Sequence, residues 1–331
     1  MLTDAVLTLL TAARGNYISG AEMSKALGVT RMAVSNAVRA LREQGYAISS
    51  ITNRGYCLTA QPDNLTPGDV LGRLPESRRG TVRVFDTIDS TNTYLKREAM
   101  GGAPHGLCAV ANEQTAGRGR VGRTFLSAPN CGVYLSVLLR PTCAPADCAT
   151  LTSHAAVAVC RALERVCGVR PGIKWTNDIL LGGKKVCGIL TELSLEGESG
   201  AVDSVVIGIG INANNLPEDF PEELREIAGS VYSAAGVRVC RAELAAALIM
   251  ELDAMTQAWS NDPRAYLQAY RALCLTTGKE VRVLRGDTQR LAFAESVTDD
   301  FALAVRYPDG STEALTGGEV SVRGLLGYQC D

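Results

Sequence analysis

The sequence predicts an α+β protein built from more than one domain. A chain of 331 residues is longer than a single hydrophobic core usually occupies. Helical apolar spacing dominates residues 1–45, strand patterns mix with helices in the middle of the chain, and short alternating strands end it. Strands and helices mixed in this way are typical of an antiparallel or mixed sheet, and we expect its helices on one side.

Composition narrows the classes of function. No apolar run approaches the roughly 20 residues of a membrane-spanning helix, and charged residues interrupt the start of the chain, which predicts a cytoplasmic protein with no membrane partner. The 11 cysteines are scattered without a C-x-x-C pair, which predicts reduced core residues. With only 2 histidines, a histidine-based metal or hydrolytic centre is disfavoured. Catalysis would then depend on Lys, Arg, Asp and Asn.

Residues 1–62 are predicted to form three helices and a two-stranded hairpin. Ser19 and Glu22 have the spacing of a capping box at the start of the second helix, and Thr30 is placed to cap the third. A glycine-containing turn at 52–55 joins the two strands of the hairpin. Three helices, a tight turn before the last and a two-stranded wing predict a winged helix-turn-helix domain.

The outer face of the third predicted helix and the tip of the wing carry short polar and basic side chains. Such groups suit base edges and phosphates, so we expect this domain to bind DNA. The candidate DNA-binding residues are Thr30, Arg31, Ser35, Asn36, Arg39 and Arg54. Although the net charge of the whole chain is only -2, this end of it is locally basic. The alternative is a small helical packing module whose arginines are solvated.

The rest of the chain divides into three segments. Residues 63–80 are rich in proline and glycine and are predicted to be a linker. Residues 81–274 carry the mixed strands and helices and are predicted to form one central domain. Residues 275–331 alternate in short strands with glycine turns, which predicts a small β domain at the carboxyl end.

The most informative segment of the central domain is the stretch 113–123. Arg118, Arg120 and Arg123 are interleaved with glycines directly after a predicted strand. Glycines let the backbone wrap closely around an anion, and guanidinium groups neutralise it. The Gly-Lys-Ser/Thr end of a Walker A loop is missing. The stretch therefore predicts an anion-binding loop, with a flexible basic surface loop as the alternative.

Several motifs follow one another along the chain. They are Ser90-Thr91-Asn92, Gln114 to Arg123, Lys174-Trp175-Thr176-Asn177-Asp178, Lys185 to Glu192, Gly208 to Asn212, and Gly317-Gly318-Glu319. In content and order they closely resemble the motifs of the biotin protein ligase family, over nearly the whole chain. The winged helix in front of them resembles that of the bifunctional members, which are also biotin operon repressors.

The resemblance implies a fold and a reaction. The central domain would be a mixed-sheet ligase domain of the class II synthetase type, and the last domain a small SH3-like barrel. With ATP and Mg²⁺ the enzyme would convert biotin to biotinyl-5′-AMP, and it would then transfer biotin to a lysine of the biotin carboxyl carrier protein of acetyl-CoA carboxylase. Binding of biotinyl-AMP would also produce a homodimer that binds operator DNA as a repressor.

Biotin presents a neutral ureido ring, an apolar tail and a carboxylate that must approach the α-phosphate of ATP despite like charge. The residues expected to bind biotin are Ser90, Thr91, Asn92, Gln114, Gly117, Arg118, Arg120, Lys185, Gly188, Leu190 and Gly208. Those expected to bind ATP are Arg118, Arg120, Arg123, Asn177, Asp178, Lys185, Asn212 and Arg323. Lys185, Arg118 and Arg120 are the expected catalytic residues, because they would stabilise developing charge, and Asp178 is expected to hold Mg²⁺.

Two features depart from the family pattern. Thr176 stands where the family usually has proline, so the turn before Asn177 lacks a rigid φ lock. Some members stack a tryptophan on adenine from the loop that follows Asn212. In that loop this chain offers only Phe220 or Tyr232.

Two other functions remain open from the sequence. A lipoate-type ligase would act on a different cofactor acid with the same architecture, but the Gly-Arg loop and the winged helix disfavour it. A biotin-sensing transcription factor without ligase activity would have no need of Lys185 or of the Asn177-Asp178 pair. Their presence favours retained chemistry.

Overall fold

The structure is a computed structural model. It describes residues 1–197, 199–285, 288–316 and 320–324, with the backbone alone at 121 and 320–324. The helices are α1 Leu2–Ala12, α2 Gly20–Leu27, α3 Arg31–Glu43, α4 Pro67–Leu71, α5 Glu76–Arg79, α6 Thr91–Met100, α7 Leu151–Cys167, α8 Val231–Ala235, α9 Arg241–Asn261 and α10 Leu267–Leu273. The strands are β1 Ala47–Ile51, β2 Gly55–Ala60, β3 Val82–Ile88, β4 Cys108–Gln114, β5 Gly132–Leu139, β6 Gly172–Lys174, β7 Asp178–Leu181, β8 Lys184–Leu195, β9 Val202–Asn212, β10 Lys279–Arg285, β11 Thr288–Val297, β12 Leu303–Arg306, β13 Thr312–Leu315 and β14 Val320–Gly324.

Local signals set the ends of the first three helices. The Ser19 hydroxyl accepts from the backbone N–H of Glu22, and the Glu22 carboxylate accepts from the N–H of Ser19 at 2.8 Å, which completes the predicted capping box. Gly28 ends α2 in the left-handed conformation, and Thr30 caps α3. The hairpin β1–β2 follows. The predicted winged helix-turn-helix layout is confirmed.

The segment predicted as a linker contains α4 and α5, and α4 packs on α1 of the winged helix domain. A Cβ at Gly68 would lie 2.8 Å from the Leu7 side chain, so the missing side chain permits this close approach. The Tyr46 hydroxyl donates to the buried carboxylate of Asp69 at 2.8 Å. Burial raises the pKa of both groups, that of Tyr46 to about 12. The connection between the domains is therefore helical in part and well packed.

The central sheet has the order β3-β4-β5-β9-β8-β7-β6, with β3 and β4 parallel and the other neighbours antiparallel. Helices α7 and α9 cover one face, where they pack on Val137 and Ile207. Helix α6 packs on the opposite face through Leu95, against Leu138 and Val206. The mixed sheet is confirmed, whereas the expectation of helices on one side alone is wrong. Since α6 is short, it leaves part of its face open.

The carboxyl-terminal strands form an antiparallel sheet in the order β13-β12-β11-β10-β14. Within the described residues the outer strands β13 and β14 do not pair with each other, so the expected barrel is observed as an open sheet. The buried Trp175 ties this sheet to the central domain, because its indole N–H donates to the carbonyl of Phe301 at 3.0 Å. That contact lies directly before Asn177 and Asp178 in the chain.

Other expectations from composition are tested by the same coordinates. The cysteines that the structure describes are all free, and most of them are buried. Of the two histidines, His154 is buried in the core, and His105 accepts a hydrogen bond from the backbone N–H of Arg140. In the described part of the chain we find no helix with the length and apolar character needed to span a bilayer.

Candidate active site

A cavity of about 210 Å³ opens on the α6 face of the central sheet. Its walls come from the start of α6, from the glycine-arginine loop between β4 and β5, and from β7, β8 and β9. The lining residues are Ser90, Thr91, Asn92, Gln114, Arg118, Gly119, Arg120, Arg123, Thr124, Phe125, Asn177, Asp178, Lys185, Gly188, Ile189, Leu190, Gly208, Ile209 and Gly210. The fold thus brings together most of the residues that the sequence singled out.

One end of the cavity carries neutral polar groups. The side-chain oxygen of Gln114 accepts from the backbone N–H of Thr91 at 2.9 Å, and its amide nitrogen donates to Ser127 Oγ at 2.8 Å. Ser90 caps α6, so the helix amino terminus points its N–H groups toward this end. The arrangement offers hydrogen-bond donors and acceptors without a net charge.

Asn92 belongs to the wall of this polar end. Its Oδ1 lies 2.6 Å from the Ser136 hydroxyl, and its Nδ2 donates to the Glu192 carboxylate at 2.9 Å. A Cβ at Gly208 would overlap the Asn92 amide, so only glycine leaves room for it on β9. Protein groups on both sides hold the amide of Asn92, which therefore shapes the pocket.

The glycine-arginine loop runs along the cavity, from Arg118 beside the polar end to Arg120 beside Asn177. Gly117 lies outside the lining, but a Cβ there would overlap the carbonyl oxygen of Phe125, so this glycine permits the close turn of the loop. Arg118 forms an ion pair with Glu192 at 3.1 Å. Arg120 donates to Asn177 Oδ1 at 2.7 Å. Burial is the main cause that lowers the pKa of Arg120 from its ordinary value.

Lys185 and Asp178 form an ion pair in the lining of the cavity. The ammonium group of Lys185 lies 2.6 Å from Asp178 Oδ1. Asp178 begins β7 and Lys185 lies near the start of β8, so the tight turn between these strands brings the two residues together. Asn177 donates to the carbonyl of Ile189 at 3.0 Å, and Thr176, in the place of the family's proline, is buried behind it.

Sequence reasoning missed Phe125. Its ring lies over the central strands, where a Cβ at Gly210 would be 2.5 Å from the ring and one at Gly188 would touch it at 3.4 Å. Tyr134 supports the ring edge-on, with 6.3 Å between centroids. The available signal was an aromatic residue directly after the loop together with glycines on two adjacent strands. Phe125 supplies an apolar wall between the polar and cationic ends.

Among the described residues, Asn212, Phe220 and Tyr232 do not line this cavity. Asn212 is buried and donates to the carbonyl of Gly229, so it holds the loop that follows β9. Phe220 is buried, and Tyr232 lies beside Arg238 at 4.5 Å from ring centroid to guanidinium. The Arg323 side chain and the predicted motif at 317–319 lie outside the described residues. The assignments of Asn212 and Arg323 to ATP stay predictions.

The candidate DNA-binding residues are all exposed in the winged helix domain. They are Arg31, Ser35, Asn36, Arg39 and Arg54, together with Thr30 at the start of α3. The sequence did not single out one further contact: Arg42 donates to the carbonyl of Ile48 at 2.9 and 2.6 Å and so fixes the wing against α3.

Known proteins share both modules. Residues 84–212 match the model of the biotin/lipoate A/B protein ligase family, and residues 3–57 match a helix-turn-helix (HTH) domain. Over 291 residues the chain is 37% identical to the bifunctional ligase/repressor BirA of Bacillus subtilis, which covers 86% of this chain and 88% of that protein. The chain belongs to the BirA family of bifunctional ligase/repressors.

Other relatives agree with membership of the BirA family. The bifunctional ligase/repressor BirA of Escherichia coli is 30% identical over 312 residues, which are 94% of each chain. The solved structure of the Aquifex aeolicus biotin protein ligase in complex with biotin and ATP superposes with a TM-score of 0.63 at 27% identity, covering 74% of this chain and 99% of that one. The resemblance drawn from the motifs and the predicted fold class are confirmed. The roles of single residues stay predictions.

Proposed function

We propose that this BirA-family chain joins biotin to AMP and then transfers biotin to a lysine of the biotin carboxyl carrier protein of acetyl-CoA carboxylase. The observation that carries the proposal is the composition of one cavity. Neutral hydrogen-bonding groups at Ser90 and Gln114, the polar end, share this cavity with Arg120 and Lys185, the cationic end, and Arg118 pairs with the Glu192 carboxylate that also holds Asn92. This order of groups matches biotin, whose ureido ring is neutral and whose carboxylate must meet a polyphosphate.

At the polar end, Ser90, Thr91 and Gln114 would hold the ureido group by hydrogen bonds. Leu190 and the ring of Phe125 would pack on the apolar part, while Gly188 and Gly208 leave the floor without side chains. A site that pairs buried polar groups with a ligand rejects analogues that cannot satisfy them. This end therefore favours biotin over lipoic acid, which has no ureido group.

At the cationic end, Lys185 would bridge the biotin carboxylate and the α-phosphate of ATP. The carboxylate oxygen attacks the α-phosphorus, the bond to the bridging oxygen of the β-phosphate breaks, and pyrophosphate leaves with the electron pair. Charge spreads over the phosphoryl oxygens as this happens, and fixed cations stabilise it. A compact ammonium on a flexible stem can follow those oxygens.

Magnesium fits the site as a companion of ATP. Among the residues that the structure describes, no group of three or more His, Cys, Asp or Glu side chains could hold a metal by itself. The carboxylate in the cavity lining is that of Asp178. Mg²⁺ commonly binds through one or two carboxylates and substrate phosphates. Asp178 would hold it beside the nucleotide, where the ion supplies charge neutralisation.

In the second step the amine of the carrier lysine attacks the carbonyl carbon of the mixed anhydride, and AMP leaves. The loop that carries Arg118, Arg120 and Arg123 would close over the anhydride before the carrier arrives. Closure excludes water, which would otherwise hydrolyse the intermediate. The glycines between the arginines give the backbone the freedom that this motion needs.

The winged helix domain supports the second activity, repression of biotin genes. Its exposed polar and basic side chains would read operator DNA, and a homodimer formed on biotinyl-AMP binding would place two such domains on a two-fold site. Specific binding usually needs this duplication, because one winged helix buries little surface on DNA.

A reconstituted reaction tests the ligase proposal. Purified protein is mixed with ATP, Mg²⁺, labelled biotin and an unmodified carrier domain, and both biotinyl-AMP and biotinylated carrier are measured. We expect both products with biotin and neither with lipoic acid. Turnover of lipoic acid in place of biotin would favour a lipoate-type ligase, and biotin binding without biotinyl-AMP would favour a sensor without ligase activity.

A further inference from the structure

The carboxylate of Glu192 joins three parts of the site from outside the cavity lining. Glu192 lies on β8, on the same face as Gly188 and Leu190, because side chains alternate along a strand. Its Oε2 accepts from Asn92 at 2.9 Å, and its Oε1 accepts from Lys96 at 3.0 Å. One carboxylate therefore links a strand of the floor to helix α6.

The third partner of Glu192 is the first arginine of the loop. Arg118 NH1 lies 3.1 Å from Glu192 Oε1, the same oxygen that Lys96 uses. The Arg118 and Lys96 side chains keep 49% and 37% of their exposure, whereas Glu192 keeps 16%. Of the three charged side chains, the Glu192 carboxylate is therefore the most buried, and the Arg118 guanidinium is the most exposed.

The neighbours of Glu192 favour the ionised form of its carboxyl group. Burial alone would raise the pKa of its carboxyl, but hydrogen bonds from Asn92 and Lys96 and the charges of Lys96 and Arg118 outweigh burial and lower that pKa. The carboxylate therefore stays ionised at neutral pH. Lys96 remains as a counter-charge if Arg118 leaves, so departure of the arginine does not leave Glu192 unpaired.

We propose that Glu192 is a positioning residue that builds the biotin pocket and the stem of the anion-binding loop as one unit. It orients the Asn92 amide against the floor at Gly208, and it holds Arg118 at the mouth of the cavity until an anionic ligand takes the arginine over. Glu192 itself does not touch the ligand. The inference rests on the proposed ligase function.

Replacement of Glu192 by glutamine tests the proposal, because it changes the hydrogen-bonding groups and keeps the size of the side chain. In Glu192→Gln the carboxylate becomes an amide with a single acceptor oxygen, while its three partners are all donors. Asn92 and Arg118 would then lose part of their orientation although volume and packing are retained. Loss of one charged hydrogen bond corresponds to about a tenfold weakening or more.

The experiment measures equilibrium biotin binding and the rate at which biotinyl-AMP leaves the enzyme. In Glu192→Gln we expect biotin to bind about tenfold more weakly and biotinyl-AMP to leave faster by a similar factor, with thermal stability close to wild type. In a double variant with Arg118→Ala, release of biotinyl-AMP should increase by less than the product of the two single effects, because the two residues share one contact.

Glu251→Gln is the matched control, since Glu251 also keeps 16% of its side-chain exposure and pairs with an arginine at 3.0 Å, on α9. Wild-type biotin affinity and biotinyl-AMP retention in Glu192→Gln would overturn the proposal. An equal fall of biotin binding, ATP binding and thermal stability would also overturn it, in favour of a purely structural role. If wild-type protein itself made no biotinyl-AMP, the ligase proposal would fail instead.

Discussion

Three cations of the cavity each contact an acceptor within the protein. Lys185 pairs with Asp178 at 2.6 Å, and Arg118 pairs with Glu192 at 3.1 Å. Arg120 donates to Asn177. Positive groups gathered for an anionic ligand repel one another in its absence, and these acceptors offset that repulsion. Binding is then an exchange of protein acceptors for ligand oxygens, which needs little reorganisation of the cations.

Replacement of Lys185 by alanine tests its assignment to the bridge. We expect Lys185→Ala to slow formation of biotinyl-AMP by roughly 10² to 10³, the usual loss when one fixed group that stabilises developing charge is removed. Single-turnover formation of the intermediate measures this at saturating substrates. The effect should appear in the rate more than in biotin binding, because the charge acts mainly in the transition state.

Lys184→Ala is the matched control for that experiment. The Lys184 side chain has nearly the same exposure, 36% against 37%, but it points away from the cavity, to the backbone carbonyl groups of Arg225 and Glu226. Near wild-type adenylation by Lys185→Ala would remove Lys185 from the bridging role.

At the scale of elements, the site is assembled where a short helix leaves part of the sheet uncovered. The amino terminus of α6 and the loop after β4 meet over glycines of β8 and β9. Gly208 accommodates Asn92 and Gly210 accommodates Phe125, because a Cβ at either position would overlap these side chains or press closely on them.

The contact of Arg120 with the turn before β7 leads to a prediction about this loop. Arg120 donates to Thr176 at 3.2 Å and to Asn177 at 2.7 Å. In Arg120→Gly we expect the closed loop to loosen, so that biotinyl-AMP escapes and labels lysines of unrelated proteins. Mass spectrometry of a bystander protein in the reaction measures that labelling.

Arg170→Gly, at an exposed arginine after α7, is the control for the loop variant and should leave bystander proteins unlabelled. Retention of the intermediate by Arg120→Gly for as long as in wild type would show that another contact keeps the loop closed.

At the scale of the whole molecule, an ion pair between the buried side chain of Arg241 and the partly exposed side chain of Asp63 fastens the start of the linker to the ligase domain. The side chain of Arg241 has 0% exposure, and its Nε donates to Asp63 at 2.9 Å while NH1 donates to Asn112 on β4 at 2.7 Å. Asp63 also accepts from Asn214, in the loop after β9. The start of the linker is therefore attached both to β4, through Arg241, and to the loop after β9.

Replacement of Arg241 should lower the stability of the folded protein. Arg241→Ala leaves a cavity and several acceptors without a donor, so we expect it to lower the free energy of unfolding by about 3 kcal/mol. Chemical denaturation measures the change. Arg165→Ala removes an arginine that keeps 50% of its exposure and pairs with Glu251, and it should cost only about 0 to 1 kcal/mol. Equal losses in the two variants would contradict a structural role for burial of Arg241.

The two proposed activities should be coupled. If loop ordering around biotinyl-AMP completes a dimer surface, dimerisation and operator binding should both strengthen when the intermediate is bound, and linkage makes the effect reciprocal. Sedimentation and DNA binding with and without a non-hydrolysable biotinyl-AMP analogue measure this. The carrier protein should compete with dimerisation. Equal dimerisation and equal DNA affinity under both conditions would rule out the switch.

Much of the fold could be predicted because its signals are local. Ser19, Glu22 and Thr30 set helix ends through hydrogen bonds that span three residues, so their spacing alone is informative. The glycine-arginine loop could be recognised in the same way, since glycines and arginines alternate within a few positions. The resemblance of the motifs to the biotin protein ligase family also predicted that Ser90, Gln114 and Lys185 belong to one site, and they line one cavity.

What only the tertiary structure decided depends on residues that are distant in sequence. Asn92 and Glu192 are 100 positions apart, and Arg241 is 178 positions from Asp63, so neither spacing nor composition could indicate that they meet. The apolar wall at Phe125 and the packing of α6 on the second face of the sheet also depend on contacts between residues that are distant in sequence. Local hydrogen bonds and apolar periodicity depend on residues within one short segment. Packing partners are determined only when the whole sheet forms and its helices cover it.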